Sequence, residues 1–299
     1  MTDSLESAWV EVGRFATRAG AEQHALVLAA VGIDCQLAAH HDAVALLVAG
    51  PDAARARREL ALYRRENRRQ RGSSPPLAAL GQGLDGVLTW AAILVFLYGA
   101  PRRHAFSLDW WSAGAAQAGL IVDGEWWRAL TALGLHADLG HLASNLAFGS
   151  FLGLLLTQHL GVGLAWLAIL LAGAVGNGLN ALLHPAAHTA IGASTAVFAA
   201  LGLLAALTWW HGAALWRYGL RRWRPLAAGV MLLAYLGFGG DRTDIGGHVA
   251  GFVVGTAFGV ALAYAQTRVP DGVRAQWAYG LAALVLFALA WLLALRMHG

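Results

Sequence analysis

The chain has 299 residues, of which 58% are hydrophobic and only 13% charged. A soluble domain averages about 25% charged residues, so a protein that mostly faces water is excluded. All 21 basic residues are arginine, 10 of them within residues 1–72; beside an apolar segment, this charge reads as a cytoplasmic anchor and not as a nucleic-acid site.

The acid-containing start Met1–Glu6 has neither the basic head nor the apolar core of a signal peptide. Residues 7–70 then alternate short patterns. Trp9–Phe15 reads as a strand, Ala19–Val31 as a helix, Asp34–Ala38 and Ala43–Ala49 as strands, and Pro51–Glu66 as a helix opened by Pro-Asp. The order β-α-β-β-α predicts a small ferredoxin-like α+β domain over residues 1–72. Cys35 is the single cysteine, so no disulfide framework and no thiol pair for a metal is expected. The stretch Arg64–Arg71, followed by Gly-Ser-Ser-Pro-Pro, reads as a basic and then flexible linker, with residues 73–83 leading into the apolar part.

From there, long apolar runs alternate with short loops. Spans are predicted near 84–100, 139–158, 162–183, 193–210, 226–240, 245–265 and 275–295; most approach the roughly 20 residues that cross a bilayer. The loop after the fourth span holds Arg217, Arg221, Arg222 and Arg224, and the loop after the sixth holds Arg268 and Arg274. Together with the basic linker they fall on one face, which the positive-inside rule makes cytoplasmic. The loops 101–138, 184–192 and 241–244 fall on the other. Ser194 opens the fourth span and His248 the sixth, both from the outer face, which puts them at similar depth. An ionisable histidine at that depth is a functional-site hypothesis, and a serine beside a histidine is the minimal kit of nucleophilic catalysis.

The mouth of the second span adds His136, His141 and Asn145. His141 and Asn145 are four residues apart and so share one helix face. An acyl-transfer site needs a nucleophile, a base and donors aimed at the developing oxyanion; Ser194, His248 and the His141/Asn145 pair fill those roles. Gly251, Gly255 and Gly259 give the sixth span a small-residue seam for close helix packing. Phe198, one turn below Ser194, is a candidate aromatic platform.

Trp127-Arg128, His136-x4-His141-x3-Asn145, Gly192-Ala193-Ser194 and His248-x2-Gly251-x3-Gly255 stand in the order found in rhomboids. The chain thus resembles the rhomboid family of intramembrane serine proteases over residues 84–265, with residues 266–299 similar to the variant that carries an added C-terminal helix. The resemblance implies an all-α six-helix catalytic core plus a seventh helix, with Ser194 as nucleophile and His248 as general base. It further implies an oxyanion hole from His141, Asn145 and the Ser194 backbone N–H, with His136 and Gly192 in support. No cofactor and no metal is implied. The partners implied are transmembrane protein substrates and the lipid bilayer, in a multi-pass protein of a bacterial inner membrane whose active site opens to the outer face. The chain departs from the family at Thr195, where glycine is usual.

Other readings of the same residues are simpler. Ser194 alone is a common helix-packing residue, and Trp127-Arg128 reads as architecture, with the guanidinium pinning loop carbonyls. His136 and His141 are poorly spaced for a metal on one helix face, and no His-Glu-x-x-His pair accompanies them. His184 and His188 read as polar loop residues. A rhomboid-like protein that binds membrane clients without cutting them, and a channel or transporter using the polar cluster, are the alternative classes. The N-terminal domain is expected either to regulate the core or to bind a cytoplasmic partner.

Overall fold

The computed structural model describes residues 9–39, 43–67, 83–103, 105–212, 223–237, 244–265 and 268–298. Residues 68–82 of the basic linker, residues 1–8, and the loop residues Arg217, Arg221 and Arg222 lie outside them, while Arg64–Asn67 continue the second helix of the N-terminal domain. The chain divides into two units, Met1–Ser74 and Pro75–Gly299.

In the first unit β1 (Trp9–Phe15) leads into α1 (Arg18–Ala30), which opens where the Thr17 side chain accepts the Gly20 N–H. β2 (Cys35–Ala39), β3 (Val44–Ala49) and α2 (Ala53–Asn67) follow. The strands lie in the order β1-β3-β2, each pair antiparallel, so β1 and β2 run parallel on either side of β3. This is the split βαβ arrangement of a ferredoxin-like sandwich. Leu28, Ile33, Leu46, Val48, Ala56 and Leu60 form its core.

In the second unit α3 (Leu84–Arg102) is followed by a stretch, expected from the sequence to be a loop, that is partly ordered into short elements. It contains α4 (Trp110–Gly114), β4 (Ala116–Gln117), α5 (Ala118–Val122) and α6 (Arg128–Thr131). Then come α7 (Leu139–Leu160), α8 (Val162–Leu183), β5 (Thr189–Ala190), α9 (Ser194–Gly212), α10 (Arg224–Gly237), α11 (Ile245–Ala265) and α12 (Val273–His298). Five of these, α3, α7, α8, α11 and α12, are long and apolar enough to cross a membrane; α9, over Ser194–Trp210, and α10, over Arg224–Tyr235, offer shorter apolar stretches. The seven helices follow the predicted spans.

α9 is apolar all round and buried along most of its length, as a central helix must be. Large apolar side chains on α3, α10 and α12, among them Phe96, Met231 and Leu292, are exposed on the outside, where lipid would cover them. α9 and α11 pack backbone against backbone. A Cβ on Gly251 would collide with the Thr195 carbonyl, and one on Gly255 with the Ala199 carbonyl. Small residues are what permit such an approach. At the opposite end, the Gln276 side chain donates to the Leu160 carbonyl at 3.0 Å and accepts the Leu164 N–H at 3.1 Å. One residue of α12 thereby satisfies the end of α7 and the start of α8, where helices leave backbone groups unpaired.

Candidate active site

α7 begins where the Asp138 carboxylate accepts the His141 N–H at 2.8 Å, an N-cap that fixes the first turn. From that turn project His141, half-buried, and Asn145, buried. One N–H of the Asn145 amide goes to the His141 carbonyl at 3.0 Å; the group has a second to give.

The segment before α9 passes directly by this turn. Gly192 has φ of 122°, a conformation side-chain-bearing residues rarely adopt, and its N–H donates to the Ala132 carbonyl at 2.9 Å. A Cβ at Gly192 would stand 2.6 Å from His141 Nε2 and 3.7 Å from Ser194 Oγ. The His141 imidazole and the Ser194 hydroxyl therefore border the same small space. The Ala193 carbonyl accepts the Val197 N–H at 2.9 Å, which puts Ser194 in the first turn of α9. The N–H groups of that turn have no intrahelical partner and carry the positive end of the helix dipole.

His136 sits behind this segment and is 1% exposed. Its Nδ1 faces the Gly134 carbonyl at 3.2 Å, so that nitrogen carries the proton. Nε2 is then left to accept the Ala193 N–H at 3.4 Å. Burial, joined by the neighbouring His141, pushes its pKa down to about 4; the neutral ring is the form that can accept from Ala193. The Arg102 guanidinium holds the same turn from outside, donating to the His136 and Ala137 carbonyls.

His248 is buried in the first turn of α11. Its ring lies on that of Phe198, with centroids 4.3 Å apart and planes tilted by 34°. Phe198 is four residues after Ser194 and shares its helix face, so the structure brings the imidazole of α11 to the serine-bearing side of α9. Thr195 turns elsewhere. A Cβ on Gly176 of α8 would lie 2.9 Å from Thr195 Cγ2, so the methyl is packed into the small-residue seam between α8 and α11.

Arg128 is 2% exposed and donates from Nη1 to the carbonyls of Ser112 (2.7 Å) and Ala115 (3.0 Å), and from Nε to Glu125. This is the architectural role read from the sequence. Glu125 is also bonded by His298 at the end of α12, at 2.8 Å. Burial alone would raise the Glu125 carboxyl, but the hydrogen bonds from Arg128 and His298 and the nearby guanidinium outweigh it and hold its pKa below the usual value. His298 escaped the sequence reading because 173 positions separate it from Glu125. Asp244, which the sequence places in the outer loop before His248 and not in a triad, has a structural role. It caps α11 through the Gly247 N–H at 3.0 Å and takes the Asn180 amide at 2.6 Å and His188 at 3.3 Å. His184 and His188, read as separate polar loop residues, are stacked with centroids 4.2 Å apart.

Residues 123–265 match the model of the rhomboid domain. The chain is 35% identical over 149 residues to rhomboid-like protease 3 of Toxoplasma gondii, covering 48% of this chain and 54% of that protein. It is 32% identical over 182 residues to the rhomboid protease GluP of Bacillus subtilis, covering 59% of this chain and 33% of that one. With rhomboid-like protease 1 of Toxoplasma gondii it shares 30% over 182 residues, 59% of this chain and 60% of the other. The chain thus spans between a third and three fifths of the length of these relatives.

Proposed function

We propose that the chain is a member of the rhomboid family, as its match to the rhomboid domain over residues 123–265 and to rhomboid proteases supports, and that it is an intramembrane serine protease working through Ser194 and His248. The observation that carries the reading is the contact of the His248 ring with Phe198, one turn below Ser194, with His141 against Gly192 on the approach to the serine.

In this mechanism the Ser194 hydroxyl attacks a peptide carbonyl as His248 accepts its proton and then passes it to the leaving amine. The oxyanion is met by the Ser194 N–H, His141 and the second N–H of Asn145, aided by the start of α9. Water then attacks the acyl-enzyme, with His248 again as base, and the released acid regenerates Ser194. His136 acts at one remove: it holds the Ala193 N–H and so the path of the chain into Ser194. No metal or cofactor enters any step.

The substrates are transmembrane segments of other membrane proteins. A hydrogen-bonded helical carbonyl in lipid is shielded, so cleavage favours segments with helix-breaking residues near the outer surface. By its arginine distribution the N-terminal domain lies in the cytoplasm of a bacterial cell, where it is free to engage a partner, and the active site opens outward. Client binding without cleavage would rest on Thr195 alone, and that side chain is housed between α8 and α11.

The test is cleavage of a single-span reporter in liposomes by the wild type, Ser194→Ala and His248→Ala. Cutting by the wild type alone, with all three proteins folded, is the expected result. Equal cutting by Ser194→Ala, or none by the wild type, overturns it. Labelling of the wild type by a fluorophosphonate, lost in Ser194→Ala, reads the activated hydroxyl without needing a substrate.

A further inference from the structure

Beyond the candidate active site, the end of α8 and the start of α11 gather a second polar cluster. One ligating atom each from His184, His188 and Asp244 lies within 4.8 Å of the others. The separation of His188 Nε2 and Asp244 Oδ2, 3.3 Å, is already close to the roughly 3.4 Å edge of a tetrahedral zinc site with bonds of about 2.0–2.1 Å. His184 Nδ1 donates to the Asn180 backbone carbonyl at 2.9 Å. This fixes the tautomer and leaves the Nε2 lone pair for a ligand, the usual outer bond of a metal-binding histidine.

Asn180 supplies an independent observation. It is 2% exposed, and its amide orientation is set because only the N–H side can face the Asp244 carboxylate, at 2.6 Å. Its Oδ1 is buried and has no hydrogen-bond partner among the described residues. A Cβ on Gly246 would stand 2.6 Å from that oxygen and 3.0 Å from His184 Nε2, so both border one point at the start of α11. A buried acceptor without a donor is costly. Asn180 Oδ1 and the acceptor nitrogen of His184 thus face one point, and a cation, or water bound to one, would meet both.

We infer that His184, His188 and Asp244 form a site for a divalent transition metal of the zinc type, with Asn180 Oδ1 accepting from a water in the fourth position. Two imidazoles and a carboxylate suit zinc better than calcium or magnesium, which prefer all-oxygen sets. Binding requires the stacked imidazoles to rotate apart until both nitrogens face the carboxylate oxygen. The metal would clamp the loop after α8 to the Asp244 cap of α11, the turn on which His248 stands. The site does not depend on the protease reading.

The full chain, purified in detergent and stripped with a chelator, is titrated with Zn²⁺ against a chromogenic competitor, and its thermal unfolding is followed with and without the metal. One zinc per chain and a raised melting temperature are expected. His184→Gln, His188→Gln and Asp244→Asn should each bind at least about 100-fold more weakly and lose the metal-dependent rise, and Asn180→Ala should bind about 10- to 100-fold more weakly. Variants count only where their zinc-free melting shows a folded protein. Cobalt substitution of the wild type gives a reading free of that condition: visible bands of a low-coordinate nitrogen and oxygen site, without the thiolate charge-transfer band that Cys35 would produce. No stoichiometric binding, full affinity in the His184→Gln/His188→Gln double variant, or a thiolate spectrum would each overturn the site.

Discussion

The His141 imidazole fills the space that any side chain on Gly192 would need, since a Cβ there would come within 2.6 Å of its Nε2. Gly192 also has φ of 122°, so two separate constraints, backbone conformation and room, call for glycine. Gly192→Ala must displace His141 from the approach to Ser194 or twist the chain that enters α9. Loss of one oxyanion donor alone costs about 100- to 1,000-fold in turnover. A loss of that size in reporter cleavage is expected, with the protein still folded by circular dichroism. Unchanged turnover would remove His141 and Gly192 from the active site.

Thr195 stands where the rhomboids that the chain resembles usually have glycine, and its packing predicts what a change to glycine would do. The methyl lies against Gly176, and a Cβ on Gly247 would meet its hydroxyl oxygen at 3.1 Å. Thr195→Gly would leave a void between α8 and α11 and lower stability by about 1–2 kcal/mol, while cleavage continues. Unfolding in mixed micelles measures the first and reporter cleavage the second. A variant that is more stable and much faster would show instead that threonine crowds the nucleophile.

The spans and the candidate site residues were legible from hydropathy and short spacings, because a helix writes its period into neighbouring residues. His141 and Asn145, or Ser194 and Phe198, are read as one face for that reason. The stretch 101–138 was not legible. α4, α5 and α6 have five, five and four residues, too short for a period, and the segment is held by Arg128 reaching the Ser112 and Ala115 carbonyls. The meeting of His188 with Asp244, 56 positions apart, likewise depends on α8 and α11 packing together and leaves no local trace.

His136 predicts a dependence of stability on pH. Its pKa is about 4 in the folded protein against the ordinary 6.5 of a histidine, chiefly through burial. Between those values the unfolded chain binds the proton and the folded one does not, so acidification favours unfolding. The contribution is fully present above about pH 6.5 and is lost as pH falls toward 4, with a slope of up to about 1.4 kcal/mol per pH unit. His136→Gln keeps an acceptor for the Ala193 N–H but does not titrate. Unfolding measured from pH 7.5 to 4 should show a shallower decline for this variant, and equal slopes would assign the acid sensitivity to other groups.

Arg128 carries the last expectation. Its guanidinium satisfies two loop carbonyls and pairs with Glu125, which His298 also bonds. Arg128→Ala leaves the carbonyls without donors and the carboxylate with one partner instead of two. Removing one member of a buried pair costs about 3–5 kcal/mol, so a strongly lowered unfolding midpoint is expected. His298→Ala removes a half-exposed bond and should cost about 1 kcal/mol. Because α12 and the loop segment meet at Glu125, the His298→Ala penalty should largely vanish in a Glu125→Gln background, which a double-mutant cycle measures directly. Full additivity would mean that the end of α12 does not hold the loop through this carboxylate.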